Sequence, residues 1–291
     1  MTDFQVESQV APPVISATRR LYWSVRRELW ESRSIYLAPL LVAAVFVFAY
    51  LIAAFAHPIR PQEIEKPYDF AALALMGTTF IVAIFYCLDA LNSERRDRSI
   101  LFWKSLPVSD LTTVLSKASI PLLVLPLLTF AITIVTQSIM LVITTAVLLS
   151  RGLSVTTLWS HLPLFDMSVG LLYHLLVIHG LWYAPIFGWL LLVSAWARRA
   201  AFLWAALPIF AIGVVEKIAF NTSHFAGMLA NRLGGGSGQG APVSANGMSM
   251  DLMPASGPLQ FLVSPGFWIG LVVAAAFLGA AVRLRRRREP I

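Results

Sequence analysis

Residues 34–56 run for 23 positions without a charged side chain. Wound as a helix, such a run is about 35 Å long, enough to cross a hydrocarbon core of about 30 Å with modest tilt. Comparable runs follow at 70–91, 118–149, 169–196, 200–220 and 265–284. A soluble domain of 291 residues could bury a large core, but not one assembled from runs of this kind. The composition agrees: 58% of residues are hydrophobic and 13% charged, where a globular domain carries about 25% charged. The fold class is therefore all-α, a polytopic membrane protein.

The third run sets the span count. Its 32 residues make about 48 Å of helix, too much for one upright crossing and too little for two plus a turn. One tilted helix, bent in its first turns by Pro121 and Pro126, accommodates it. Six spans result. The first follows some 33 polar and basic residues with no small-residue cleavage site, so it reads as a span and not a signal peptide.

Charge then orients the spans. With both termini inside, seventeen of the 22 Lys and Arg residues lie on inner segments, and only Arg60, Lys66, Arg151, Lys217 and Arg232 lie outside. That asymmetry follows the positive-inside rule, and it also accounts for the net charge of +7 without a nucleic-acid partner. The single cysteine, Cys87, excludes an intramolecular disulfide and a multi-cysteine metal site.

Between the spans, 1–15 read as a disordered leader and 285–291 as a basic cytoplasmic tail. In 16–33, Leu21, Tyr22, Val25, Leu29 and Trp30 recur at helical spacing, while Arg19, Arg20, Arg26, Arg27 and Glu28 occupy other faces. This predicts an interfacial amphipathic helix, arginines towards anionic lipid and rings at the boundary. The loop 92–117 carries an apolar cluster, Ile100, Leu101, Phe102 and Trp103, that wants a lipid or protein surface. Pro107 ends a short helix there, and Ser109 or Asp110 caps the helix leading into span three. The outer loop 221–263 holds 8 of the 17 glycines and reads as a flexible linker. No Gly-Lys-Ser/Thr follows its Gly-rich tract to make a phosphate loop.

The order of a basic amphipathic leader, two spans, Glu94-Arg95, Leu106-Pro107-Val108-Ser109 and Lys117 before span three resembles the permease subunits of type-2 ABC transporters. Where many members carry Gly-Thr after the Glu-Arg pair, this chain has Asp97, Arg98 and Ser99. The resemblance implies that 92–117 is the coupling loop against a separate cytoplasmic ABC ATPase, with Glu94, Arg95, Arg98, Lys104, Pro107 and Asp110 as contact candidates. It also implies a second permease subunit, identical or related, an export direction, and the inner membrane of a bacterium. ATP and Mg would be bound by the ATPase, and this chain would hold no cofactor or metal.

At membrane depth the only charged pair is Glu216 and Lys217, near the outer end of span five, which makes them pathway or gating candidates. His174 and His179 are five apart, about 140° around an α-helix, and so do not share a face as metal ligands would. Neither HExxH nor G-x-S-x-G occurs, and no catalytic constellation is evident. Two other classes stay open: an ion-coupled carrier or channel, and a membrane enzyme. Uptake driven by an ion gradient without an ATPase would mark the first of these.

Overall fold

The computed structural model describes residues 16–57, 65–96, 109–152, 155–156, 164–234 and 262–287. The leader 1–15, the loop centre 97–108 with Arg98, Lys104 and Pro107, the tract 235–261 and the tail 288–291 lie outside them. Among the described residues all regular structure is helical. Six helices are long and apolar enough to cross a membrane: Ser34–Ala56, Glu65–Glu94, Asp110–Ser150, Phe165–Trp182, Ala201–Phe220 and Pro265–Arg287. These are spans one to six, with the shorter apolar helix Ala184–Trp196 taken as the second half of span four.

The first helix, Ala17–Glu31, is the leader helix; the Ser16 Oγ accepts a hydrogen bond from the Arg19 N–H at 3.4 Å. Span one follows after only Ser32 and Arg33. Its small and kinked positions, Pro39, Ala43 and Ala54, turn inward, while Leu41, Val45, Phe48, Ile52 and Phe55 are exposed. Ala43 packs with Leu75 of span two and Ile132 of span three.

Span three is a single helix of 41 residues, about 60 Å long. It starts well before the apolar run because Ser109, whose Oγ accepts the Thr112 N–H at 3.1 Å, caps it at Asp110. The predicted bend is a π-helical turn, Ile120–Val124. Pro121 and Pro126 have no N–H for the carbonyls of Lys117 and Leu122, and the wider turn absorbs the mismatch.

The fourth run starts earlier than 169 and is interrupted. Leu164–Tyr173 continues into a π-helical stretch, His174–Trp182, and Ala184–Trp196 resumes after a break at Tyr183, two residues before Pro185. The two π segments cross closely. A Cβ on Gly180 would stand 2.5 Å from the Leu122 carbonyl oxygen, the same carbonyl that Pro126 leaves without its helical donor. Glycine is required there. The π winding also corrects the histidine geometry. Five residues make little more than one turn of a π-helix, so His174 and His179 share a face, ring centroids 5.9 Å apart.

The second half of span four packs against span six through small residues: a Cβ on Gly188 would meet the Ala274 carbonyl at 3.3 Å. Span five touches this body at its first turns, where the Trp189 Nε1–H donates to the Ala205 carbonyl at 3.1 Å and Trp196 meets Trp204 edge-on. Elsewhere it is almost wholly exposed; Ala205 is its one buried residue. The start of the outer loop, read as linker, is instead a helix, His224–Leu233, folded back onto the break in span four. Trp182 and Tyr183 donate to the carbonyls of Arg232 and Leu233 at 2.8 and 2.9 Å, and the Arg232 guanidinium lies over the Trp182 ring and against Gly270.

Candidate functional site: a buried ion cluster at the basic end of the bundle

At the end of the bundle that carries the arginine-rich leader and the last turn of span six, six charged side chains converge from four segments. The leader helix supplies Arg27 and Glu28, the short helix Asn92–Arg96 supplies Glu94, the root of span three supplies Asp110 and Lys117, and span six supplies Arg285. Relative exposure is 2% for Glu28, 3% for Glu94, 3% for Lys117 and 6% for Arg285. Charges this deep persist only when paired and hydrogen-bonded.

The pairing is dense. The Lys117 Nζ donates to both Glu28 carboxylate oxygens at 3.0 and 3.1 Å and lies 3.1 Å from the Glu94 Oε1. The Arg285 Nη1 donates to the Glu94 Oε2 at 2.6 Å, and its Nε to the Asp110 Oδ1 at 3.0 Å. The Arg27 Nη2 donates to the Glu28 Oε1 at 2.7 Å and reaches the Glu94 Oε1 at 3.4 Å. The Tyr86 hydroxyl, from span two, donates to the Glu28 Oε2 at 2.9 Å. In its buried part three carboxylates face three cations among the described residues, and Arg27 also reaches the exposed Glu31 at 3.7 Å.

Local structure aims each group. Glu28 is on the leader face that also carries Val25 and Leu29, which pack against the main core cluster. Of the leader's apolar set, Val25 and Leu29 are therefore turned to the protein, while Tyr22 and Trp30 stay exposed. Glu94 is placed by a turn after span two in which the N–H groups of Leu91 and Asn92 both donate to the Ser194 Oγ of span four at 3.0 Å. Asp110 and Lys117 are seven residues apart, two turns of one helix face.

Of the coupling candidates, Glu94 and Asp110 thus meet in one cluster, with Glu94 turned into the protein. Arg95 has its backbone in Asn92–Arg96, its side chain outside the described set, and Arg98, Lys104 and Pro107 lie in 97–108. Glu216 and Lys217 do not join. Glu216 accepts from the Thr222 hydroxyl at 2.9 Å and from the N–H groups of His224 and Phe225 at 2.7 and 2.9 Å, capping the folded-back helix from the end of span five. Lys217 is exposed.

Sequence reasoning left Arg27, Glu28, Tyr86, Lys117 and Arg285 out of the candidate site. The available signal was weak: an acid, Glu28, directly after Arg26 and Arg27 on a helix whose other acid is Glu31. A second missed feature is a polar seam. Thr129 bonds Thr79 at 2.5 Å, and Thr144 bonds Tyr50 at 2.6 Å and Tyr68 at 3.3 Å, stitching span three to spans one and two. The His179 Nε2 lies 3.3 Å from the Met76 carbonyl, and its Nδ1 has no hydrogen-bond partner among the described residues. Among the described residues, no three His, Cys, Asp or Glu side chains converge in a way that could hold a metal ion.

Comparison of the chain with protein-family models, with curated proteins and with solved structures returns no match.

Proposed function

We propose that this chain is the membrane-spanning permease subunit of a transporter whose ATP hydrolysis takes place in a separate cytoplasmic ABC ATPase. In this reading both termini face the cytoplasm of a bacterium, and the leader helix lies along the inner face of the membrane. Two permease subunits form the pathway, and the direction is export. ATP and Mg belong to the partner.

The observation that carries the reading is the rooting of 97–108. The segment leaves the described structure at Arg96 and returns at Ser109, and on both sides its flanks enter one ion cluster, through Glu94 and through Asp110 and Lys117. The same cluster holds the leader helix by Glu28 and span six by Arg285. A load applied to 97–108 by a partner is thereby shared among the leader and spans two, three and six, as a coupling loop requires.

The test uses the full chain. Purified alone it turns over no ATP, and from its own host it co-purifies with an ATPase carrying a phosphate-binding loop. Charge reversal at Arg98 and Lys104 weakens that capture, while Glu28→Gln keeps capture but uncouples hydrolysis from transport. Unaided ATP turnover, or reporter tags showing the termini on opposite sides of the membrane, would overturn the proposal. An ion-coupled carrier is the second reading, favoured by the unpartnered His179 Nδ1 beside His174 at membrane depth. Proton-driven uptake in vesicles free of ATPase would select it.

A further inference from the structure

The leader helix has a second, uncovered face whose sequence alternates cation and indole. Arg19, Trp23, Arg26 and Trp30 follow one another at spacings of four, three and four, and Arg33 comes three later at the joint with span one. On the leader helix Arg19, Trp23, Arg26 and Trp30 fall within an arc of about 60°, and no other residue of that helix shares it; Arg33 lies beyond the helix end at Glu31. Glu28 lies on the opposite side, buried in the ion cluster. Trp23 is 49% and Trp30 66% exposed. Between them the Arg26 guanidinium sits 5.1 Å from the Trp23 ring centroid and 4.7 Å from that of Trp30. Tyr22, also exposed, stands edge-on to Trp23. Among the described residues no carboxylate pairs with Arg19, Arg26 or Arg33.

We infer that this strip is a docking surface for the anionic phospholipid headgroups of the leaflet on the leader's side. Three observations select that occupant. The strip ends where Ser34 begins a membrane-crossing helix, so it cannot leave the bilayer surface. Indoles belong at the headgroup level, where one edge meets water and the other the acyl region. Guanidiniums held between them present planar forks that fit phosphate oxygens, and no acid on that face competes. Val25 and Leu29, on another face of the leader, are covered by the protein itself. That leaves the Arg–Trp face for the lipid contact. Through Glu28 on the far side, headgroup binding then sets the position of the leader against Lys117.

The inference rests on the inner placement of the leader in the proposed function, but its test contains no ATPase. The full chain in detergent is titrated with short-chain phosphatidylglycerol and, separately, phosphatidylcholine, and its thermal unfolding midpoint is followed, since a ligand of the native state raises it. Phosphatidylglycerol is expected to act at the lower concentration. The triple variant R19Q/R26Q/R33Q should shift its half-effect concentration roughly fivefold per guanidinium, of order a hundredfold in all. The corresponding triple lysine variant should retain most of the preference, and W23A/W30A should weaken the response to both lipids. Removing two exposed cations elsewhere at that end of the bundle, R198Q/R199Q, should change it less than twofold. An unchanged preference in the triple glutamine variant, or an equal loss in R198Q/R199Q, overturns the inference. Termini found on opposite sides would remove the proposed function without altering this titration.

Discussion

Replacing Lys117 by methionine keeps the length of the side chain and removes the cation that joins Glu28 to Glu94. A single contact at 3.0 Å is worth about 5 kcal/mol at an effective dielectric constant of about 20. Arg27 and Arg285 remain, so part of the carboxylate charge stays compensated. Breaking a buried pair by deleting one partner costs about 3–5 kcal/mol, and K117M is expected within that range. In the double variant K117M/E28Q two carboxylates face two cations again, Glu94 and Asp110 against Arg27 and Arg285. It is therefore expected to be less destabilised than the two single changes summed, by about 2 kcal/mol, within the span found for residues in one network. Reversible unfolding in mixed detergent micelles, run for all four members of the cycle, measures both quantities. A cost for K117M below about 1 kcal/mol, or a cycle additive to within about 0.5 kcal/mol, would show that the cluster is not a coupled unit.

Two further outcomes follow from the packing. Gly180→Ala drives a methyl group against the Leu122 carbonyl and should cost about 1–3 kcal/mol. Gly213→Ala in span five meets nothing within 4 Å and should be neutral or stabilising by up to about 1 kcal/mol; equal effects in the same unfolding assay would deny the close crossing. Glu216→Gln removes the charge that accepts from His224 and Phe225, so amide hydrogen exchange at those two residues should accelerate while that of spans two and three stays unchanged. Protection that survives the change would mean the cap does not hold the folded-back helix.

The number of membrane-crossing helices was legible because burial in lipid demands long runs of apolar residues, and nothing else in a chain of this size mimics them. Helix ends were less so. Span three begins at Asp110 and span six continues to Arg287, since capping and ion pairing, not hydropathy, decide where a helix stops. Pro121 and Pro126 announced a bend, but no residue announced the π winding of His174–Trp182, which rests on contacts with span three. For the candidate site, Glu94 and Asp110 could be singled out from their motif. Glu28 and Arg285 could not, because their partners lie 89 and 191 positions away, at Lys117 and Glu94. The leader's two faces illustrate the same limit. Periodicity found the apolar set, yet which of its residues are covered was decided by a buried carboxylate that only the assembled bundle can accept.

The equality of positive and negative groups in the ion cluster has an electrical consequence. A charge carried through the transmembrane field does work of about 2.3 kcal/mol per 100 mV, but Glu28, Glu94 and Asp110 displaced together with Arg27, Lys117 and Arg285 carry none. As long as the six travel as a body, the cluster itself contributes no gating charge, and any voltage dependence at this end of the protein comes from the other charged groups that move with it.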